Sequence, residues 1–287
     1  MQKRLLFGFV LVLLVAAVVL AEEGLEGERV AGVTLPAGVF VLPVMVALAA
    51  LAARELALLF RAKGADISSG LLSVSAAAGV MASTPVATDP VVSTLAGVMA
   101  VGPVVLHGLR RRSSGVLVAV GASLFAFAYA GLLFGFLLRI RLEHSIWVLV
   151  LVLAVVKSCD IFAYFTGRLV GRTPLIGWLS PGKTREGLAG GLVGSAVVGG
   201  VGAVLVLGDR SAGVVDGPAA WAIAGAAVGA MLGGLGQLGD LAASMLKRDA
   251  GVKDAGRALP GFGGVLDMLD SPIFVAPVAY WLLSLPG

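Results

Sequence analysis

The sequence predicts an all-α, polytopic integral membrane protein with about nine transmembrane helices. Of its 287 residues, 59% are hydrophobic and only 13% are charged, and the mean hydropathy is +1.02. Soluble domains carry about 25% charged residues, so this composition excludes an ordinary soluble enzyme. The single cysteine, Cys159, also excludes an internal disulfide and a cysteine-based metal site.

Nine apolar stretches follow one another along the chain. They lie near residues 4–21, 35–60, 67–87, 91–109, 115–138, 145–165, 187–208, 218–245 and 269–284. A helix needs about 20 apolar residues to cross a bilayer, so most stretches qualify and the last is short. We expect the first stretch to be kept as a helix. A secretory signal is the alternative, but the run exceeds the usual h-region of about 7–15 residues and lacks an A-x-A site.

The basic residues predict the orientation. With the N-terminus inside and nine crossings, only Arg29, Arg139, Arg141 and Arg210 of the 21 Lys and Arg fall outside. The first outside loop, AEEGLEGERV, is acidic, which agrees. The positive-inside rule therefore predicts a multi-pass protein of the inner (cytoplasmic) cell membrane with a cytoplasmic N-terminus.

The two halves of the chain differ. Residues 1–144 consist of apolar spans joined by short loops, and we interpret them as a scaffold of transmembrane helices. Residues 145–287 carry most of the chemistry, and we predict a catalytic region with a cytoplasm-facing active site. Arg54 and Glu55, near the inner end of the second span, are the polar exception. We interpret them as an interfacial pair with snorkelling stems.

Glycine spacing predicts close helix packing in the second half. Gly225, Gly229 and Gly233 recur every four residues and share one face of the eighth span. Small residues at this spacing allow helix backbones to approach closely in lipid. Such faces indicate a tightly packed core. They would also suit contact between two copies of the chain, so a homodimer is a further prediction.

Carboxylates and cations gather at the end of the eighth span. Residues three and four apart lie on one helix face, so Gln237, Asp240, Ser244 and Lys247 form one stripe with Arg248 beside it. In the last span Asp267 and Asp270 share a face. If the two helices meet, three carboxylates converge beside Lys and Arg. Mg²⁺ is held by one or two carboxylates plus substrate phosphates, so we predict that Asp240, Asp267 and Asp270 bind this ion.

Two loops are suited to phosphate. Pro260-Gly261-x-Gly263-Gly264 permits close approach of backbone N–H groups to an anion and would aim the N-terminus of the next helix at phosphate. Ser180 to Thr184 offers hydroxyls and the Lys183 ammonium. The stretch GWLSPGKT also fits the P-loop pattern, but no strand pattern precedes it, so we do not interpret it as a P-loop.

The order of these groups resembles a known family. Gly-Asp, Ser-x-x-Lys-Arg, Lys-Asp, Pro-Gly-x-Gly-Gly and Asp-x-x-Asp-Ser follow one another between residues 239 and 271. This order resembles the CDP-diacylglycerol synthases (phosphatidate cytidylyltransferases), membrane enzymes that join CTP to phosphatidic acid. Ala243, Phe262 and Met268 stand where the family commonly has Glu, His and Arg, which indicates a divergent subfamily.

The resemblance implies a nucleotidyltransferase that uses Mg²⁺, CTP and phosphatidic acid in the bilayer, with no nucleic-acid partner. The catalytic residues it implies are Asp240, Lys247, Arg248, Lys253, Asp254, Asp267 and Asp270. The substrate-binding residues it implies are Asp160, Ser180, Lys183, Thr184, Ser244, Gly261, Gly263 and Gly264. A CTP-dependent polyprenol or lipid kinase is an alternative, and a membrane anion or lipid transporter is a less favoured one.

Overall fold

The computed structural model describes residues 2–30, 33–85, 87–208, 217–256, 258, 259 and 263–285. Gly261, one of the predicted substrate-binding residues, lies outside them. So do Pro260 and Phe262 of the same glycine-rich loop, and Arg210, one of the four basic residues expected outside.

The chain folds into ten α-helices, one π-helical segment and two short hairpins within the described residues. The first half contains α1 (Gln2–Leu25), β1 (Arg29–Val30), β2 (Val33–Thr34), α2 (Val41–Ala62), α3 (Ser69–Ala82), α4 (Asp89–Leu109), α5 (Val116–Phe125), the π-helical segment (Ala126–Leu133) and α6 (Phe134–Glu143). The second half contains α7 (Ile146–Val170), β3 (Pro174–Ile176), β4 (Ser180–Thr184), α8 (Arg185–Leu207), α9 (Pro218–Asp249) and α10 (Val265–Leu283).

The predicted multi-pass membrane architecture is confirmed. Within the described residues, 8 helices are long and apolar enough to cross a membrane, counting the continuous rod Val116–Glu143 as one. The apolar helix α3, of 14 residues, is shorter. The short element is thus the third, whereas the sequence predicted the last. Helix α10 reaches 19 residues because its first turn includes Asp267, and an acidic residue is stabilising near a helix N-terminus.

Packing divides the chain into two compact units. One contains Met1–Ile146 and Asp249–Leu269, and the other contains Trp147–Arg248 and Asp270–Gly287. The first boundary lies close to the one predicted at residue 144, but the segment Asp249–Leu269 packs with the first half. The scaffold and catalytic roles of the two halves stay predictions.

Ion pairs and hydrogen bonds place several helix ends of the first unit side by side. Arg61, at the end of α2, donates to the backbone oxygen of Ile67 and to the Ser69 hydroxyl, each at 2.9 Å. Arg112, after α4, lies 3.7 Å from Asp66. Lys63 lies 3.1 Å from Asp249. The basic ends of α2 and α4 and Asp249, the last residue of α9, are therefore on one side of this unit.

A buried ion pair holds α1 to α6 in the same unit. The guanidinium of Arg141 lies 2.9 Å from Glu22 and 2.5 Å from Glu26, and the side chains of Arg141 and Glu22 are each only 1% exposed. Glu22 also accepts hydrogen bonds from the backbone N–H groups of Gly38 and Phe40. Buried charges need such partners, so one carboxylate fixes the junctions of α1, α2 and α6.

Glycine faces pack α7, α8 and α9 together in the second unit. A Cβ on Gly199 of α8 would lie 2.8 Å from the Cα of Gly229, and one on Gly191 would lie 2.8 Å from the Cys159 oxygen of α7. The predicted close packing of the glycine faces is confirmed. Because these faces are used inside the unit, they no longer support the predicted homodimer, which stays a prediction.

Candidate active site

A β-hairpin leads into α8 and carries one part of the candidate site. Pro174 pairs with Thr184, and Ile176 pairs with Ser180, in antiparallel register. Thr184 then caps α8, because its hydroxyl accepts from the Gly187 N–H at 3.0 Å. The expectation that no strand precedes this stretch is wrong. The P-loop is still excluded, because Ser180–Thr184 is itself a strand rather than a phosphate-cradling loop.

Five side chains of α7, β4 and α9 form a continuous polar network. The Lys183 ammonium lies 2.7 Å from the Asp240 carboxylate and donates to the Gln237 amide oxygen at 2.9 Å. The Gln237 amide nitrogen donates to Asp160 at 2.8 Å. Lys157 lies 3.1 Å from the other oxygen of Asp160. The network therefore alternates between cations and carboxylates, with a neutral amide at its centre.

This network borders a cavity of about 310 Å³ within the second unit. Its walls include Asp160, Tyr164, Gly167, Arg168, Gly182, Lys183, Thr184, Gln237 and Asp240. Arg168 donates to the Tyr164 hydroxyl at 3.0 Å. The cavity thus combines two cations, two carboxylates and hydroxyl donors, a set suited to a phosphate group held with a cation.

The two glycines Gly167 and Gly171 bring the end of α7 against the hairpin. A Cβ at either position would contact the Thr184 hydroxyl, at 3.0 Å from Gly167 and 2.7 Å from Gly171. The Glu186 carboxylate accepts from the N–H groups of Arg172 and Thr173 at 3.1 and 3.2 Å. These contacts fix the connection between α7 and the hairpin, and hence the position of Lys183 relative to Asp160.

Asp270 belongs to the second unit and lies close enough to Asp240 to interact with it electrostatically. The Asp270 side chain is 3% exposed, and Asp240 and Lys247 are among its charged neighbours. Helix α10 can approach because Gly239 of α9 has no side chain, and a Cβ there would lie 2.6 Å from the Asp270 backbone oxygen. The predicted pair Asp240 and Asp270 therefore comes together.

The remaining predicted residues of α9 flank this pair. The Ser244 hydroxyl donates to Asp240 at 3.4 Å. Lys247 is buried, with 8% exposed, and Arg248 donates to the Leu179 backbone oxygen at 3.4 Å. The stripe predicted from the helical spacing of Gln237, Asp240, Ser244 and Lys247 thus follows the side of α9 that carries the network.

The predicted residues Lys253, Asp254, Gly263, Gly264 and Asp267 belong to the first unit. Lys253 and Asp254 are exposed, and Gly263 has a φ of +89°, which only glycine adopts readily. The Asp267 carboxylate accepts from the N–H groups of Ala255 and Gly264 at 3.0 and 2.8 Å. It therefore ties the two ends of this segment together. Its predicted convergence with Asp240 stays a prediction.

Glu55 is the residue that the sequence interpretation missed. The interpretation of Arg54 and Glu55 as an interfacial pair with snorkelling stems is wrong for Glu55, which is only 4% exposed. Its carboxylate accepts from the backbone N–H groups of Val265 and Leu266 at 3.0 and 2.8 Å. Both partners are more than 200 positions away in the chain, so local periodicity could not reveal them. The only sequence signal was a carboxylate inside an apolar span.

The expectation that the N-terminus of α10 points at phosphate is also wrong. The N–H groups of Gly264, Val265 and Leu266 are the donors that a helix start offers to an anion. They are already hydrogen-bonded to Asp267 and Glu55. The chain's own carboxylates thus occupy this helix start.

Oxygen ligands suited to Mg²⁺ are present, although among the described residues no group of three or more His, Cys, Asp or Glu side chains is placed to hold a metal ion. Mg²⁺ in phosphate chemistry commonly takes one or two carboxylates and completes its shell with water and substrate phosphates. The pair Asp240 and Asp270 fits that donor set. The three-carboxylate site with Asp267 stays a prediction.

Known proteins of one family are similar to this chain. The model of the cytidylyltransferase family matches residues 2–285. A phosphatidate cytidylyltransferase of Bacillus subtilis is 38% identical over 58% of this chain and 59% of its own length. One of Synechocystis is 38% identical over 48% of this chain and 43% of its own. The uncharacterised protein YnbB of Escherichia coli is 32% identical over 62% of this chain and 61% of its own. The chain therefore spans less than two thirds of the length of each of these relatives.

Proposed function

Because this chain belongs to the cytidylyltransferase family, we propose that it transfers CMP from CTP to phosphatidic acid and is a divergent phosphatidate cytidylyltransferase. A phosphate oxygen of phosphatidic acid attacks the α-phosphorus of CTP, the bond to the β-phosphate bridging oxygen breaks, and pyrophosphate leaves. The products are CDP-diacylglycerol and pyrophosphate. Relatives that carry this name support the proposal.

The observation that carries the proposal is the position of Lys183 beside Asp240 at the edge of the cavity. A phosphate ester is already a nucleophile at neutral pH, so the reaction needs no protein nucleophile. Positioning and charge neutralisation then supply most of the rate. Phe262 stands where the family commonly has histidine. The absence of that histidine is compatible with a reaction that needs no protein nucleophile.

Each residue has a proposed task in this reaction. Lys183 and Arg168 hold phosphate oxygens in the cavity, and Gln237 orients Lys183 while keeping Asp160 hydrogen-bonded. Asp240 and Asp270 would hold Mg²⁺, with Asp267 as the third predicted ligand. Bound there, the ion would neutralise charge on the reacting phosphates. The other residues proposed to act at the site are the catalytic Lys247, Arg248, Lys253 and Asp254 and the substrate-binding Ser180, Thr184, Ser244, Gly261 and Gly263.

Supply of labelled CTP, Mg²⁺ and phosphatidic acid to purified protein tests the proposal. We expect a lipid-soluble cytidine product and an equal amount of pyrophosphate. The Asp240→Asn variant should lose this product, whereas Asp249→Asn should keep it, because Asp249 is exposed and pairs with Lys63 in the first unit. Release of CDP with a phosphorylated lipid alcohol would indicate the kinase instead. Unchanged CTP would contradict both enzymes and favour a transporter.

We also propose that the N-terminus is cytoplasmic. The basic ends of α2 and α4 lie together in the first unit with Asp249, the last residue of α9, and positive residues favour the cytoplasmic side. Single cysteines at Arg111 and at Glu23 test this orientation in intact cells. The first should resist a membrane-impermeant thiol reagent and the second should react. The reverse pattern would refute the orientation without touching the proposed chemistry.

A further inference from the structure

The Glu55 carboxylate of α2 is enclosed by the two ends of the segment 255–266, all within the first unit. It accepts from the N–H groups of Val265 and Leu266. A Cβ added to Gly256 would lie 2.6 Å from its Cδ, and one added to Gly264 would lie 2.7 Å from the same atom. Both glycines are therefore positions where the backbone closes on this side chain.

The chemistry of this contact requires a charged acceptor. A carboxylate in an apolar span is costly unless it is hydrogen-bonded, and hydrogen bonds from a helix start to a carboxylate are charge-assisted. The dipole of α10 adds to the attraction. Asp267 closes the same segment from within, since it joins the N–H groups of Ala255 and Gly264. Two carboxylates thus hold both ends of one loop.

We propose that Glu55 is a positioning residue for the predicted site residues that belong to the first unit. It holds Gly256 and the start of α10 against α2, and with them the neighbouring Lys253, Asp254 and Asp267. This inference rests on the proposed function for its catalytic consequence. The contact itself can be tested without any reaction.

The first test compares Glu55→Gln with Arg54→Gln. Arg54 is the adjacent, exposed residue of the same helix, so its variant controls for loss of a charge in α2. A glutamine keeps the shape but turns one acceptor into a donor that faces another N–H group. We expect hydrogen exchange at Val265 and Leu266 to become at least about 10-fold faster, with the other helices unchanged.

The same pair of variants separates a positioning role from a stabilising one by kinetics. We expect kcat for CDP-diacylglycerol formation to fall about 10-fold or more in Glu55→Gln, with the melting temperature close to that of Arg54→Gln. Exchange that accelerates equally in all helices would overturn the proposal, because Glu55 would then only stabilise the fold. Exchange and kcat equal to those of Arg54→Gln would overturn it as well.

A second pair keeps the proposal testable if Glu55→Gln does not fold. Gly256→Ala places a methyl group against the Glu55 carboxylate, and the shorter side chain of Glu55→Asp would make room for it. We expect each single variant to speed exchange at residues 264–266 and the double variant to restore part of the protection. A double variant no better than the poorer single one would refute the contact. If wild-type protein makes no CDP-lipid, the proposed function fails while these exchange results still decide the role of Glu55.

Discussion

Lys183 of β4 lies 2.7 Å from Asp240 of α9, and its ammonium also donates to Gln237 one turn earlier in that helix. A strand of a short hairpin thus positions a cation beside a carboxylate of a membrane-spanning helix. Both side chains are only partly exposed, so their attraction is less screened than that of a surface pair. A phosphate that enters the cavity meets a cation already held in place.

The Lys183–Asp240 pair predicts strongly coupled effects on activity. Lys183→Gln should lower kcat/KM for CTP by about 10²-fold or more, because it removes a preorganised donor at the reacting phosphates. Asp240→Asn should cost at least as much. Because the two groups touch, the double variant should lose much less than the product of the single losses. Steady-state kinetics on all four proteins measure this coupling, and fully additive losses would contradict it.

Gln237 predicts a smaller effect. Gln237→Leu removes the link between Lys183 and Asp160 but leaves both charges in the cavity wall, so kcat/KM should fall about 10-fold, the equivalent of one or two hydrogen bonds. Leu238→Ala is the matched control, because Leu238 is the next residue of α9 and is 54% exposed. Equal kinetics for the two variants would show that Gln237 is not part of the phosphate site.

The sequence predicted the parts of this site that follow local periodicity. Helical spacing put Gln237 and Asp240 on one stripe, and glycine spacing predicted the packed face of α9. Contacts between distant positions were missed. Glu55 meets Val265 across 210 positions, and Arg141 meets Glu22 across 119. Neither pair leaves a periodic signal, because each depends on how whole helices pack rather than on the pattern within one of them.

The hairpin and the start of α10 were missed for another reason. β3 and β4 have only 3 and 5 residues, which is too short for alternation to be visible beside proline and glycine. The N–H groups at the start of α10 were expected to bind phosphate, because free N–H groups at a helix start bind anions. They do bind anions, but these are the chain's own carboxylates, Glu55 and Asp267.

The contact between α8 and α9 predicts that an added methyl group destabilises the second unit. A Cβ on Gly199 would lie 2.8 Å from the Gly229 Cα, with no flexible side chain to yield. Gly199→Ala should therefore lower the unfolding free energy by about 1–3 kcal/mol. Gly234→Ala is the control, because its Cβ would meet only the Leu192 side chain at 3.5 Å. Thermal unfolding in detergent compares the two, and equal losses would refute the packing argument.

The buried ion pair of the first unit predicts a large loss of stability. Arg141→Met leaves the Glu22 carboxylate buried without its guanidinium partner, which should cost about 3–5 kcal/mol. The control is Arg139→Met, which makes the same substitution in the same helix. Because Arg139 and its partner Glu143 are 36% and 32% exposed, the unfolding free energy should fall by only about 0–1 kcal/mol. Denaturant titrations in micelles measure both. A small loss for Arg141→Met would show that Glu22 is satisfied by its backbone partners alone.

Asp270 predicts how the proposed activity depends on Mg²⁺. Two carboxylates that interact across α9 and α10 repel each other, and a divalent cation held between them would relieve that repulsion and help to bind substrate phosphates. Chelation should therefore abolish formation of the CDP-lipid, and added Mg²⁺ should restore it. In Asp270→Asn the Mg²⁺ concentration for half-maximal activity should rise about 10-fold or more, since loss of even an outer partner of a metal site costs about that much.

The control for this prediction is Asp249→Asn. Asp249 is an exposed carboxylate at the end of α9, so its loss should leave the Mg²⁺ dependence unchanged. If Asp270→Asn lowers kcat with an unchanged Mg²⁺ dependence, Asp270 acts on the fold or on the substrate and not on the metal.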